Sequence, residues 1–298
     1  METDHGGGSE NINEEKPVDD YLVRAVTTAG NVRGLACVTT HLVNEACQRQ
    51  GASPTAAIAL GRAMTGGVLM GALLKDDQRV ALKFEGNGPL GKILVEADSG
   101  GGVRGGLGNP GVMLPPVNGR VDVAGALGRA GFLTVTKDIG LKRPYQGMVE
   151  LYSSEIGEDL AYYLAESEQI PSAVGVAAAM APDGSIAVAG GFLIQSLPPA
   201  DEALIGGLVK GIEALSSLTD LLLQGATPEG LLALIMGDFP FEILGRQDLA
   251  FRCSCSRTRV RQVLATMDRE ELAATIAEEG AVEVVCEFCK TAYRFDSL

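Results

Sequence analysis

The chain has 298 residues, a formal net charge of -14, 46% hydrophobic but only 5% aromatic residues, 39 glycines and no tryptophan. That length accommodates two domains and a sizeable core, and the composition suits a soluble, turn-rich α/β protein. So acidic a balance speaks against a nucleic-acid partner, because phosphate binding needs clustered Lys and Arg.

Residues 1–17 mix Gly, Asn, Glu and Asp without periodicity, carry five acids against Lys16 and end at Pro17, which is the pattern of a disordered acidic tail. The opening Met1-Glu2-Thr3-Asp4 has neither a basic n-region nor an apolar h-region, so a reducing cytoplasm is the expected setting and free thiols the resting state. Residues 21–27 and 31–39 read as strands, and a helix over 42–50 is closed by Gly51. Cys37 and Cys47 fall here with no partner at metal-ligand spacing and read as small buried hydrophobes; His41 reads as structural. Ser53-Pro54 places a cap and then proline at the first helical position, opening a long helix over 55–74. Its glycines at 61, 66, 67 and 71 would let a sheet approach closely. Arg62, those glycines and the bordering Lys75-Asp76-Asp77 favour a buried helix over a membrane span.

Strand-like runs follow at 80–85, 93–97, 121–123, 132–138 and 148–153, separated by turns such as Gly100-Gly101-Gly102 and Gly105-Gly106. Strands so closely spaced favour antiparallel pairing and an α+β sandwich. The glycines of 100–108 do not make a phosphate loop, because no Gly-Lys-Ser/Thr follows and they open no helix. A helix over 158–169 ends at Pro171, and the runs 173–180 and 185–194 flank Pro182-Asp183-Gly184 as a hairpin. The first domain closes near Pro198-Pro199. Beyond it, 203–223 carries Leu204, Leu208, Ile212 and Leu215 at helical intervals, and Thr227-Pro228-Glu229 starts a second helix running to Met236. Helices this apolar must cover something or be covered.

Four of the six cysteines lie in the last fifty residues, as Cys253-Ser254-Cys255 and Cys286-Glu287-Phe288-Cys289. Thiolates are the ligands that best satisfy tetrahedral zinc, and two pairs brought together would complete its shell. With His5 and His41 both far away in sequence, a ligand set drawn from this segment has to be Cys253, Cys255, Cys286 and Cys289. Such a set is closed, with no open position for a substrate, so it fits a structural or redox role better than hydrolysis. Between the pairs, 257–267 has a helical pattern, Asp268 caps a second helix with Glu271 as box partner and Gly280 as stop, and 282–285 with 292–295 reads as a hairpin. A core this small supplies about 3–5 kcal/mol at most, against roughly 10–16 kcal/mol for structural zinc, so the metal would decide whether the segment is folded. Spacing alone leaves open a permanently reduced zinc ribbon that merely staples the C-terminus.

The run Cys253-Ser254-Cys255-Ser256-Arg257, the Glu270-Glu271-Leu272 turn, and Val285-Cys286-Glu287-Phe288-Cys289 followed by Tyr293 and Phe295 resemble the redox-regulated heat-shock holdase family, the 33 kDa chaperonin. Thr136-Lys137-Asp138, Tyr145-Gln146-Gly147, Glu166 through Ser172 and Gly190 through Gln195 resemble its motifs too, extending the likeness from about residue 20 to the end. The acidic tail (1–17) departs from the family pattern; beyond it the resemblance implies an α+β architecture, with an N-terminal α/β sandwich of mostly antiparallel sheets for substrate binding and dimerisation (18–198), a helical linker (199–245) and a small zinc-binding redox-switch domain (246–298). It implies one Zn2+ per chain held by the four cysteines when reduced. On oxidation it implies disulfides Cys253 with Cys255 and Cys286 with Cys289, metal release, unfolding of the segment and capture of unfolding client proteins, with a homodimer forming on activation. The resulting expectation is a cytoplasmic, stress-responsive chaperone, not an enzyme. Two rival classes are a thiol-disulfide oxidoreductase using Cys286 and Cys289, and a zinc-ribbon adaptor for nucleic acid, favoured only by Arg252, Arg257, Arg259 and Arg261. The 49 residues from 250 onward hold seven basic and eight acidic side chains, so they carry no basic footprint.

Overall fold

The structure, a computed structural model, describes residues 19–199, 202–215, 217–237 and 239–297. The acidic tail expected over 1–17, with His5, lies outside them. Thirteen strands and nine helices are formed by the described residues. The first part of the chain runs β1 (Tyr21–Thr27), β2 (Val32–Val38), α1 (Thr40–Gln50), α2 (Pro54–Gly71), β3 (Arg79–Gly86), β4 (Lys92–Asp98), β5 (Gly102–Leu107), α3 (Val123–Leu127), β6 (Gly131–Asp138), β7 (Tyr145–Glu150), α4 (Gly157–Glu166), β8 (Ser172–Met180) and β9 (Ile186–Ser196). The second part runs α5 (Glu202–Glu213), α6 (Leu218–Leu223), α7 (Pro228–Met236), β10 (Phe241–Asp248), β11 (Ala250–Phe251), α8 (Arg257–Leu264), α9 (Arg269–Glu279), β12 (Val282–Val285) and β13 (Ala292–Phe295). The architecture is mixed α+β with mostly antiparallel sheets. One sheet has the order β10-β1-β2-β9-β8, a second β11-β5-β4-β3-β6-β7, and β12 and β13 form a hairpin. Among the described strands only the β11–β5 pair is parallel.

Helix α2 lies between the two large sheets, and sixteen of its eighteen residues are buried, which explains why its sequence shows no polar stripe. Its glycines permit that depth. A Cβ at Gly61 would lie 3.1 Å from Ala178 on β8, and one at Gly67 would lie 2.5 Å from Val95 on β4. Leu60, Met64, Leu69 and Met70 fill the space between the sheets together with Leu82, Phe84, Ile93 and Leu193. A second core forms on the opposite face of the β1-containing sheet, where Leu204, Leu208, Leu222, Leu231, Leu232, Ile235 and Met236 of α5–α7 cover Tyr21, Val23, Phe192 and Ile194. The apolar helices after Pro199 thus cover a sheet face that would otherwise be wet. A third cluster, around Leu264, Leu272 and Phe295, has only three buried members.

Four local expectations are corrected. Residues 121–123 are not a strand: Asp122 accepts a 2.7 Å hydrogen bond from the Gly125 amide and starts α3. The glycines of 102–107 are not a turn but strand β5, where a Cβ on Gly105 would lie 2.8 Å from Leu60 and 2.9 Å from Met64 of α2. The helix expected over 203–223 is broken, with Ser217 capping α6 through a 3.2 Å bond accepted from the Asp220 amide. The segment expected as helical up to residue 245 ends its last helix at Met236 and enters β10, an edge strand paired with β1. Ser53 sits at the N-cap of α2, but its hydroxyl donates to the Val112 carbonyl and Pro54 supplies the helical start. None of the described helices is long and apolar enough to cross a membrane.

The closeness of α2 to β4 is testable. Gly67→Val overpacks the contact with Val95 and is expected to cost about 1–3 kcal/mol of stability, read as a lower urea midpoint with an unchanged m-value.

Candidate metal and thiol centre

Two loops bring the four cysteines together. Cys253 and Cys255 follow β11 and precede α8, whose N-cap Ser256 accepts a 3.2 Å bond from the Arg259 amide. Cys286 and Cys289 occupy the turn between β12 and β13, closed by Cys286 N to Thr291 O and Lys290 N to Cys286 O, both 3.0 Å, with Lys290 at φ +57°. The four sulfurs lie within 4.8 Å of one another. The shortest separations run between the loops, 3.7 Å for Cys253–Cys286 and 3.3 Å for Cys255–Cys289. A tetrahedral tetrathiolate with metal–sulfur bonds of ~2.3 Å has edges of ~3.8 Å, so the four thiols fit a metal ion.

The sulfurs sit in unequal surroundings. Burial pushes the Cys255 thiol up to about 12, against the pull of the Tyr293 hydroxyl that donates to it over 3.1 Å. Burial also raises Cys286. It acts on Cys289 in the same sense, but the Thr291 hydroxyl, 3.2 Å away, the Thr291 amide and the neighbouring sulfurs outweigh it and hold that thiol at about 6. Arg104 of β5 donates to Cys253 Sγ over 3.5 Å and to Ser254 Oγ over 3.2 Å, while its guanidinium bonds Glu96 and lies 4.3 Å from the centre of the Phe288 ring.

The centre is fastened to the two-sheet body. Arg252 N donates to Val103 O, extending the β11–β5 pairing up to the residue before Cys253. Gln50, buried at the end of α1, donates through Nε2 to the Glu287 and Phe288 carbonyls, each at 2.8 Å. Lys92 forms a 2.9 Å ion pair with Glu287. The near approach of the turn is allowed by Gly106, where a Cβ would lie 3.2 Å from Glu287 O.

The cysteine quartet expected from spacing is therefore the cluster the fold assembles. Cys37 and Cys47 are free and buried, and burial raises both thiols, Cys47 to about 12. His41 lies at the start of α1, where its amide donates to Asp20. Arg252, Arg257, Arg259 and Arg261 are each engaged within the chain. Arg252 reaches Gly100 O, Arg259 reaches Ser254, and Arg257 and Arg261 lie over the buried Phe295 ring. Arg104, Gln50 and Lys92 had no local signal, since each meets the centre from about 150 or more residues away in sequence.

Gln50→Leu leaves the Glu287 and Phe288 carbonyls without their donor at a cost of about 1–3 kcal/mol. The expected result is faster amide hydrogen exchange across the Cys286–Cys289 turn, with exchange in α2 unchanged.

Comparison with known proteins agrees along the whole body. The Hsp33 protein family profile matches residues 20–296. The 33 kDa chaperonin of Geobacter sulfurreducens is 57% identical over 281 residues, spanning 94% of this chain and 93% of that protein. That of Citrifermentans bemidjiense is 54% identical over 277 residues, spanning 93% and 94%. The crystal structure of the 33 kDa chaperonin from Thermotoga maritima superposes with a TM-score of 0.86 at 36% identity, covering 93% of this chain and 94% of that one. Matches of this extent, carried through the cysteine centre as well as both sheets, place the chain in the Hsp33 family.

Proposed function

We propose that this chain is a redox-regulated holdase: zinc-bound and dormant when its thiols are reduced, and active toward unfolding proteins once they are oxidised. The observation that carries this reading is the contrast between four converging thiols and the unit they close, whose own core has three buried side chains. Zinc suits a ligand set made only of thiolates, and one ion would bring roughly 10–16 kcal/mol to a segment that apolar packing alone holds weakly. Arg104 and Arg259 partly offset the negative charge such a tetrathiolate keeps.

Cys253, Cys255, Cys286 and Cys289 are the proposed ligands and the proposed redox pairs. Oxidation of a thiolate to sulfenic acid, then displacement of its hydroxyl by a second thiol as water, gives a disulfide that no longer binds the metal. All four sulfurs lie within 4.8 Å of one another, so each has a neighbour both within and between the loops, but the two pairings have opposite consequences. A bridge between loops would staple the unit shut. Bridges within loops, Cys253 with Cys255 and Cys286 with Cys289, as the family resemblance implies, would free the loops from one another.

We assign the working parts as a body over 18–198, a linker over 199–245 made of α5–α7 and the start of β10, and a switch over 246–298. Unfolding of the switch loosens the segment leading back to α5–α7, and their release uncovers the apolar face formed by Val23, Phe192 and Ile194. Exposed apolar surface of this kind binds unfolded chains and can also drive self-association into a dimer. The protein acts by binding rather than by turnover, in a reducing cytoplasm where the resting thiols persist.

The test uses the purified, reduced, zinc-loaded chain under hydrogen peroxide and mild heat. Expected are one zinc released per chain, loss of four free thiols, bridges within each loop by peptide mapping, reduced helicity, and suppression of a client's aggregation by the oxidised form alone. Equal suppression by the reduced zinc form would refute the switch.

A further inference from the structure

A pocket of about 350 Å³ lies against the cysteine centre; besides Glu287, whose carboxylate is paired with Lys92, its walls combine three kinds of group. One is sulfur: Cys255 and Cys286 both line it. The second is cationic, with Arg104 and Arg259 at the same wall, both hydrogen-bonded to Ser254 Oγ beside the thiols. The third is apolar, formed by Leu264, Val284 and Phe288 with Val263 and Met267. The last two are 63% and 49% exposed, so the apolar wall is open to solvent and reachable by a ligand. A reactive sulfur alone needs no such wall, and hydrogen peroxide or hypochlorite would gain nothing from it.

We infer that this pocket binds organic hydroperoxides with an apolar alkyl or aryl body and delivers them to Cys255 or Cys286; this rests on the redox reading above and adds its oxidant class. The apolar body would occupy the Val263–Met267–Phe288 side, and the peroxide end would face sulfur and guanidinium. The thiolate sulfur attacks the terminal oxygen, so that an S–O bond forms as the O–O bond breaks. Sulfur is oxidised by two electrons and the hydroperoxide is reduced to its alcohol. The departing alkoxide forms beside Arg104 and Arg259, whose charge stabilises it until it takes a proton from water. A second cysteine thiol then displaces the sulfenic hydroxyl as water, closing the disulfide.

The experiment follows zinc release and thiol loss from the full reduced chain with cumene hydroperoxide and with hydrogen peroxide, each rate divided by that of the same oxidant with glutathione. The expected normalised preference for cumene hydroperoxide is about 10-fold, the scale of burying part of one aryl group. Val263→Asp and Met267→Glu, both at exposed positions, should each erase most of that preference while leaving the hydrogen peroxide rate within about twofold. A second readout without redox chemistry is binding of cumyl alcohol, followed by chemical-shift changes in α8, which the same variants should abolish. No preference in the parent chain, or an unchanged preference in both variants, overturns the pocket's role and leaves the switch standing. If neither peroxide releases zinc, the redox reading falls and the inference with it.

Discussion

Four sulfurs that would each carry negative charge as ligands are held within 4.8 Å in a unit with very little apolar core, and the rest of the arrangement answers that constraint. Like charges at such distances repel strongly wherever water is partly excluded, so the cluster is stable only with a cation among the thiolates or with the thiols protonated. The surrounding groups reflect the same pressure. Tyr293 donates to the Cys255 sulfur, the Cys289 thiol bonds the Thr291 hydroxyl, Arg104 reaches Cys253, and the Gln50 amide fixes the turn from below. Remove the compensation and only the small cluster around Leu264, Leu272 and Phe295 is left to hold the unit together.

The connection from that unit to the rest of the molecule is short and continuous. β10 pairs with β1 at the edge of one sheet, β11 pairs with β5 at the edge of the other, and Cys253 follows two residues after β11. The chain thus crosses both sheets between α7 and the thiols. Those two edge pairings lie on the chain's path from the cysteines back to α5–α7, and edge strands open more readily than central ones.

Much of this was legible in the sequence wherever the signal was local. The two cysteine pairs, the hairpin at 282–285 and 292–295, and the buried glycine-bearing helix each rest on spacing within one segment, and the fold contains all three. What the sequence concealed depends on partners. Gly102 to Leu107 reads as a turn because glycine has no strand preference, yet those glycines are there so that α2 can press on one face and the cysteine turn on the other. Likewise Phe241 to Asp248 has no clean alternation, since an edge strand with much of its surface exposed is not obliged to show one. Arg104 and Gln50 are ordinary polar residues until the topology carries them to the sulfurs.

Cys37 and Cys47 acquire a meaning from their burial. Packed into the core between the sheets, with their protons held more tightly than those of free thiols, they lie apart from the four clustered sulfurs. The molecule therefore carries two populations of sulfur, four gathered at one centre and two set among apolar core side chains. Cys37 has no exposed surface at all, so reaching its sulfur requires the packing between the sheets to open.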